Sequence, residues 1–132
     1  KITAVVLHPV RTAPWGISIK EQKKCVFNAL LYKKYPKLYR ERIKPAPSWN
    51  YYMMLISFLT IPVALIFKME AVALGALAIW LLLVAAFTLK RLEHTSRSMD
   101  HVAEMIVTSI VIPFAALFWQ HYGALKYRVL FL

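Results

Sequence analysis

The side chains best placed for chemistry near the start of the chain are His8, Arg11 and Trp15. A histidine at the end of a strand can ligate a divalent metal, and an arginine can clamp a diphosphate through two parallel hydrogen bonds. A purely structural role for the same residues is the interpretation that the sequence alone favours, because one such pair is weak evidence for a site. The spacing therefore predicts a candidate diphosphate-binding position and not a complete active site.

Other signatures of catalysis or metal binding are missing from the sequence. There is no glycine-rich phosphate loop and no HExxH, CxxC or GxSxG motif, and the first aspartate is Asp100. The single cysteine, Cys25, excludes an intramolecular disulfide and a cysteine-based zinc site. The four histidines show no ligand spacing, so we expect this chain alone to hold no metal.

Composition points away from a small soluble domain. Of the 132 residues, 60% are hydrophobic and 17% are charged, whereas soluble domains average about half apolar and about a quarter charged. Residues 1–48 carry eleven Lys and Arg against two acids, and residues 49–132 carry six against four. A basic segment followed by an apolar body is typical of a membrane protein whose Lys and Arg meet anionic lipid. Nucleic-acid binding by the basic segment ranks last, and we expect no nucleic-acid partner.

Two uncharged stretches, 49–67 and 71–89, predict a transmembrane helical hairpin. Each has 19 residues, which as a helix span about 28 Å, the thickness of a bilayer core. The segment 68–70 between them is expected to form a tight turn. Amphipathic aromatic rings favour the headgroup layer, and three of them lie at the start of the first stretch: Trp49, Tyr51 and Tyr52.

Basic residues flank the hairpin on the side away from the turn. Residues 1–48 precede the first stretch, and Lys90, Arg91 and Arg97 follow the second. The positive-inside rule therefore predicts that the N-terminal side and the 90–101 loop are cytoplasmic and that 68–70 lies across the membrane.

A third apolar stretch, 102–119, is interrupted by polar residues and by Pro113. A full crossing would carry Lys126 and Arg128 to the far side, against the positive-inside rule. We expect an interfacial or re-entrant helix that is broken near Pro113, with Asp100 as its N-cap.

His101, Glu104 and Thr108 recur at spacings of three and four residues, so they share one helical face and form a polar stripe. The stripe could face a protein surface or a lipid headgroup. The alternative, which we favour from sequence alone, is that it is the solvated face of an interfacial helix.

The basic segment 1–48 divides into three parts. Residues 2–7 are rich in β-branched side chains and predict a short strand whose sheet partners lie elsewhere. Ser18 and Glu21 have the spacing of a capping box and predict a helix over 18–34, followed by a basic linker to residue 48. This helix suits the membrane surface or a missing domain equally well, and three of its lysines are candidates for contact with lipid phosphate: Lys23, Lys33 and Lys34.

Long stretches of the sequence also resemble a known protein family. HPVRTAPWGISIKEQKKCVFNALLYKKYPKLYRERI begins at His8, a spanning hairpin follows, and HVAEMIVTSIVIPFAALFWQHYGALKYRVLFL begins at His101. Over nearly the whole chain, the sequence resembles the C-terminal, membrane-anchoring part of bacterial family-2 glycosyltransferases. The processive QxxRW-like acceptor motif is not matched, since only Gln22, Lys23 and Lys24 occupy that region.

The resemblance implies a fold class and a division of the chain. The fold would be mainly α and membrane-embedded, a transmembrane hairpin with interfacial helices, and its short N-terminal strand would belong to an upstream α/β domain of the GT-A type. Four parts follow: the terminal strand and loop of that domain (1–17), the interfacial helix and linker (18–48), the hairpin (49–89), and a loop, interfacial helix and basic tail (90–132).

The resemblance also implies partners and a function. The parent enzyme would move a sugar from a nucleotide-sugar donor to a lipid-linked or cell-envelope glycan acceptor at the bacterial inner membrane. A divalent metal, Mg or Mn, would be held by upstream acids that this chain lacks, while His8, Arg11 and Trp15 would face the diphosphate side. The alternative is a small non-enzymatic membrane anchor with a basic head that recruits a partner protein.

Overall fold

A computed structural model describes residues 14–93, 95 and 98–130 of the chain. The described residues form six α-helices and no strand: α1 (Ile17–Glu21), α2 (Val26–Lys34), α3 (Pro36–Arg42), α4 (Trp49–Ile66), α5 (Glu70–Leu92) and α6 (Met99–Lys126). A 3₁₀ turn, Gln22–Cys25, joins α1 to α2. The strand predicted over 2–7 lies outside the described residues.

Helices α4 and α5 form the predicted antiparallel hairpin. Small side chains on α5, Ala73 and Ala76, are buried where the two helices meet, and such residues let helix backbones approach closely. Tyr51, in the first turn of α4, packs edge-on against Phe87, near the end of α5, with ring centroids 5.5 Å apart. The beginning of α4 and the end of α5 therefore lie at one end of the hairpin, called here the basic end.

The turn at the other end of the hairpin closes as a Schellman motif. Met69 N–H donates to the Ala64 carbonyl at 2.8 Å and Lys68 N–H donates to the Leu65 carbonyl at 3.0 Å. Lys68 occupies the left-handed region, with φ 56°, where glycine is the usual residue. The tight turn expected over 68–70 is thus present, one residue earlier than the sequence indicates.

Helix α6 is continuous from Met99 to Lys126, so the predicted break near Pro113 is wrong. A proline in a helix removes one hydrogen bond, and tight packing of its surroundings offsets that loss. Pro113 is among the most deeply buried side chains of the described chain. The N-cap of α6 is Ser98 and not Asp100, which lies in the first turn.

Three helices, α4, α5 and α6, are long and apolar enough to cross a membrane. This property agrees with the membrane character predicted from the sequence. The first stretch ends one residue earlier than predicted and the second extends to Leu92, which places Lys90 and Arg91 inside α5 and not in the following loop.

Helix α6 contacts the hairpin at its basic end in two separate places. Near its N-terminal half, Thr108 and Ser109 meet Arg91 of α5. Near its C-terminal half, His121 packs edge-on against Tyr52, in the first turn of α4, with ring centroids 5.9 Å apart. Both contacts involve the basic end of the hairpin, and between them Phe114 of α6 packs edge-on against Phe58, in the middle of α4, with ring centroids 5.3 Å apart.

The segment 16–34 runs beside α6 in the same direction. Lys23 lies 5.8 Å from the ring centroid of Trp119, and further along Lys33 Nζ donates to the Tyr127 carbonyl at 2.7 Å. Sequence analysis predicted one helix here, opened by a Ser18–Glu21 capping box. The predicted end at Lys34 is confirmed, but the capping box and the single helix are wrong, because the N-cap is Gly16 and the 3₁₀ turn interrupts the helix.

Helix α3 folds back on α2 and replaces the linker expected after residue 34. Tyr39 of α3 is buried with Ala29 of α2, and its ring packs edge-on against Tyr32 at 5.8 Å. Ala124, Tyr127 and Val129, from the end of α6 and just after it, close this small core. The core joins the basic segment to the C-terminal part of the chain.

Candidate functional site: a polar junction at the basic end of the hairpin

Arg91 lies in the last turn of α5 and reaches across to α6. Its Nη1 donates to Thr108 Oγ1 at 2.8 Å and to Ser109 Oγ at 2.9 Å, and both of these residues are fully buried. Its guanidinium also lies 5.6 Å from the ring centroid of Phe87. Hydrogen bonds from a charged donor in a buried setting are stronger than neutral ones, so Arg91 fixes α6 to the hairpin.

Glu104 connects α6 to the turn that precedes α1. Its Oε1 accepts the backbone N–H of Gly16 at 2.7 Å, and its Oε2 lies 3.9 Å from His101 Nδ1. Gly16 adopts φ 73°, a conformation that glycine reaches without strain. The carboxylate therefore holds a segment that is 88 residues away in sequence.

A third contact closes the group. Ser18, in α1, places its Oγ 3.5 Å from Arg91 Nη2, at the limit of a hydrogen bond. We call the six residues the polar junction: Gly16, Ser18, Arg91, Glu104, Thr108 and Ser109. The junction ties three parts of the chain together, namely α1 with the turn before it, the end of α5 and the first half of α6.

The hydrogen bonds of the Thr108 hydroxyl indicate whether the junction suits catalysis or positioning. Its hydroxyl donates to the Glu104 backbone carbonyl at 2.7 Å and accepts from Arg91, so both its donor and an acceptor site are in use. A hydroxyl bound in this way is not poised as a nucleophile, since no general base holds its proton. The geometry suits positioning of one segment against another.

The polar stripe predicted from sequence faces protein. Thr108 is fully buried, and the side chains of His101 and Glu104 are 27% and 17% exposed. The solvated-face interpretation is therefore wrong. The interpretation failed because the segment 16–25 covers the stripe. That segment is remote in sequence, so the residue pattern of α6 does not show it.

The residues predicted to lie at the membrane interface occupy different surroundings. Lys34 and Trp49 are exposed, and Tyr51 and Tyr52 are half-buried at the basic end of the hairpin. Lys23 and Lys33 are also exposed, and they contact Trp119 in the C-terminal half of α6 and the residue that follows α6. The surroundings of these residues do not test whether they contact lipid, so that contact stays a prediction.

The diphosphate-side prediction is only partly covered by the structure. His8 and Arg11 lie outside the described residues, and Trp15 is 60% exposed in the turn before α1. Trp15 nevertheless directly precedes Gly16, so the segment that carries the candidate residues leads into the polar junction.

A second polar group lies between the 3₁₀ turn, the α3–α4 connection and α6. Lys44 Nζ donates to Gln120 Oε1 at 3.2 Å, and Gln120 itself is buried. Burial raises the pKa of the Cys25 thiol, and the charge of Lys44 offsets part of that rise. Burial likewise lowers the pKa of the Lys44 ammonium. The thiol is accordingly a weak nucleophile at neutral pH.

The divalent metal implied by the resemblance does not fit the described residues. Mg and Mn prefer carboxylate oxygens. Within residues 14–93, 95 and 98–130, no three His, Cys, Asp or Glu side chains come together as metal ligands. We therefore derive no step through a metal in this part of the protein.

Sequence reasoning missed Arg91, Ser109 and Ser18 as members of the site. Arg91 follows Lys90 directly after an apolar run, where a basic pair already has an explanation as a membrane flank. The available signal was the pair of adjacent hydroxyls at Thr108 and Ser109, within a helix otherwise rich in apolar side chains. Such hydroxyls need a partner when they are buried.

Comparisons with protein-family models, with curated proteins and with solved structures give no match to this chain.

Proposed function

We propose that this chain is the membrane-anchoring and orienting region of a glycosyltransferase that takes a nucleotide-sugar donor. The parent would glycosylate a lipid-linked or cell-envelope glycan acceptor at the cytoplasmic face of the bacterial inner membrane. The upstream catalytic domain would hold the donor and its Mg or Mn. This chain would set the height and angle of that domain above the bilayer.

One observation carries the proposal. Residue 16, near the end of the candidate strand and loop (1–17), and residue 18, directly after it, are tied to α6 and α5 by Glu104 and Arg91. A domain that ends at this loop would leave it at a fixed place on the membrane hairpin. Holding an enzyme and a membrane-borne acceptor on one surface removes much of the entropy cost of their encounter.

The location of α6 is part of the same proposal. Length and composition allow it to cross the membrane, yet two of its contacts lie at the basic end of the hairpin. We place it at the cytoplasmic interface, with α1 and α2 beside it. This position also keeps Lys126 and Arg128 on the cytoplasmic side, in line with the positive-inside rule.

A cysteine-labelling experiment tests the topology. Cys25 is first replaced by Ser, and single cysteines are then placed at three exposed positions: Lys33, Lys68 and Glu93. In sealed inverted inner-membrane vesicles, a membrane-impermeant maleimide should label positions 33 and 93 but not position 68. Labelling of 33 and 93 on opposite sides would refute the proposed topology.

The enzymatic part needs a separate test, which begins with the reading frame upstream of Lys1. An in-frame segment with a DxD-type acidic motif supports a transferase, and a start codon directly before Lys1 supports the anchor protein instead. In the longer product, Arg11→Ala should lower transfer from labelled nucleotide sugars about 100-fold, a loss typical of removing a charge-stabilising donor. Membrane content should not change, and Arg42→Ala, an exposed arginine on α3, is the matched control.

A further inference from the structure

An open cleft of about 380 Å³ lies at the basic end of the hairpin, between the beginning of α4 and the end of α5. Its principal lining residues are Ser48, Trp49, Asn50, Tyr51, Phe87 and Lys90. The edge-on pair of Tyr51 and Phe87 lies on its apolar side. The cleft therefore combines aromatic surface with polar groups in one small space.

The polar groups of the cleft suit an anion. Lys90 supplies a positive charge, while Ser48 and Asn50 supply a hydroxyl and an amide as hydrogen-bond donors. None of the lining residues is acidic, and no carboxylate of the described residues lies within 4.0 Å of the Lys90 ammonium. The ammonium is thus available to a ligand.

The cleft differs from a neighbouring groove on the other side of α5, between α5 and α6. That groove, about 480 Å³ between α5 and α6, is lined almost wholly by apolar side chains such as Leu81, Val84 and Ile106. It suits hydrocarbon and offers nothing to a charged group. Only a ligand with a charged end and an adjoining apolar part would use what the cleft provides.

We propose that the cleft binds the phosphate-bearing headgroup of an anionic phospholipid. Lys90 and Asn50 contact the phosphate, and Trp49 flanks the headgroup at the level where amphipathic rings are favoured. The acyl chains lie along the exposed apolar side chain of Met53, about one helical turn beyond Asn50 on α4. A free phosphate lacks chains and gains nothing from this second surface.

This proposal rests on the membrane hairpin and not on glycosyl transfer. Loss of sugar-transfer activity would leave it untouched, and loss of lipid binding would leave the transferase assignment untouched. The two are therefore tested separately.

The test uses the full chain purified in a neutral detergent, with native mass spectrometry to count bound lipids. Phosphatidylglycerol, phosphatidylcholine and inorganic phosphate are titrated against three single variants: Lys90→Gln, Asn50→Ala and Lys68→Gln. Lys68 is a matched control, because it is an exposed lysine at the opposite end of the hairpin.

The expected result is that Lys90→Gln raises the Kd for phosphatidylglycerol about fivefold, the effect of one lysine at an anionic surface. Asn50→Ala should weaken binding in the same direction, Lys68→Gln should have no effect, and phosphatidylcholine should bind weakly to all forms. Equal Kd values for Lys90→Gln, Asn50→Ala and Lys68→Gln would overturn the proposal. Displacement of phosphatidylglycerol by millimolar inorganic phosphate would also overturn it, since the site would then be one for free phosphate.

Discussion

Gly123 of α6 lies directly against the backbone of Val26 in α2, and a Cβ atom at position 123 would stand 2.6 Å from the Val26 carbonyl oxygen. The nearest atoms belong to the backbone, so no side-chain rotation relieves the overlap. Glycine at this position lets the basic segment and the last helix pack in contact.

Gly123→Ala should therefore destabilise the chain by about 1 to 3 kcal/mol, the usual cost of overpacking. Unfolding in mixed micelles with increasing dodecyl sulfate, followed by tryptophan emission, measures the change. Gly75→Ala is the control, because nothing lies within 4 Å of its Cβ position in α5. This control should be neutral or up to about 1 kcal/mol more stable. Equal stability of the two variants would contradict the close contact.

Removal of Arg91 should loosen the junction between the hairpin and the segment 14–25. Arg91→Ala leaves two buried hydroxyls without their charged donor, which costs about 1 to 3 kcal/mol. Limited proteolysis should then cleave the chain near Lys20 several times faster than in the parent protein. Lys68→Ala, which removes an exposed lysine, is the control and should leave the cleavage rate unchanged. A cleavage rate in Arg91→Ala equal to that of the parent protein would show that this side chain does not hold the junction.

The reactivity of Cys25 should show a displaced pH dependence. Because burial raises the pKa of the thiol, alkylation by iodoacetamide should reach half its maximal rate above pH 9.0, the ordinary value for this group. Lys44→Met removes the charge that favours the thiolate, so the midpoint should move further up. Lys37→Met, on the exposed side of α3, is the control. A midpoint that moves down in Lys44→Met would contradict the assigned contact.

The pKa shifts of Cys25 and Lys44 also make the stability of the folded chain depend on pH. The Cys25 thiolate is disfavoured in the folded state, so its contribution to stability is present below pH 9.0 and is lost as the pH rises toward its folded pKa. The Lys44 ammonium is also disfavoured, so its contribution to stability increases as the pH rises from its folded pKa toward 10.5. As the pH rises, the two groups therefore change the stability in opposite directions.

Charge in the middle of α5 should impair its insertion. Leu82 is 70% exposed on this helix, so its side chain faces lipid when the helix spans a membrane. Leu82→Arg should raise the free energy of insertion by about 3 kcal/mol and reduce the fraction of chain that resists alkaline extraction from membranes. Leu82→Ala should remain in the membrane, and full retention of Leu82→Arg would mean that α5 does not cross.

The hairpin was predictable from sequence because its signal is local. Two uncharged runs with a short polar turn specify length, pairing and the antiparallel arrangement together, and the largest boundary error is the end of α5, predicted three residues too early. The arrangement of α6 was less accessible. Pro113 predicts a break in an isolated helix, but the surrounding protein buries that residue and the helix continues.

The polar junction could be found only in part. His101, Glu104 and Thr108 stood out by their spacing, yet nothing local shows that Glu104 accepts from Gly16 or that Arg91 meets Thr108. These pairs join segments that are distant in sequence, and a pattern read along one helix does not identify its partner. Helix α3 was missed because Pro45 and Pro47 and the density of Lys and Arg favoured a linker.

The parallel packing of the basic segment on α6 has a consequence for biosynthesis. Lys33 meets Tyr127 across 94 residues, so the apolar side of α2 stays uncovered while the whole hairpin is translated and inserted. During that interval Val26 lacks the backbone of Gly123, against which it packs in the folded chain. This packing closes only when α6 emerges, so the basic segment acquires its partner after both helices of the hairpin have been translated.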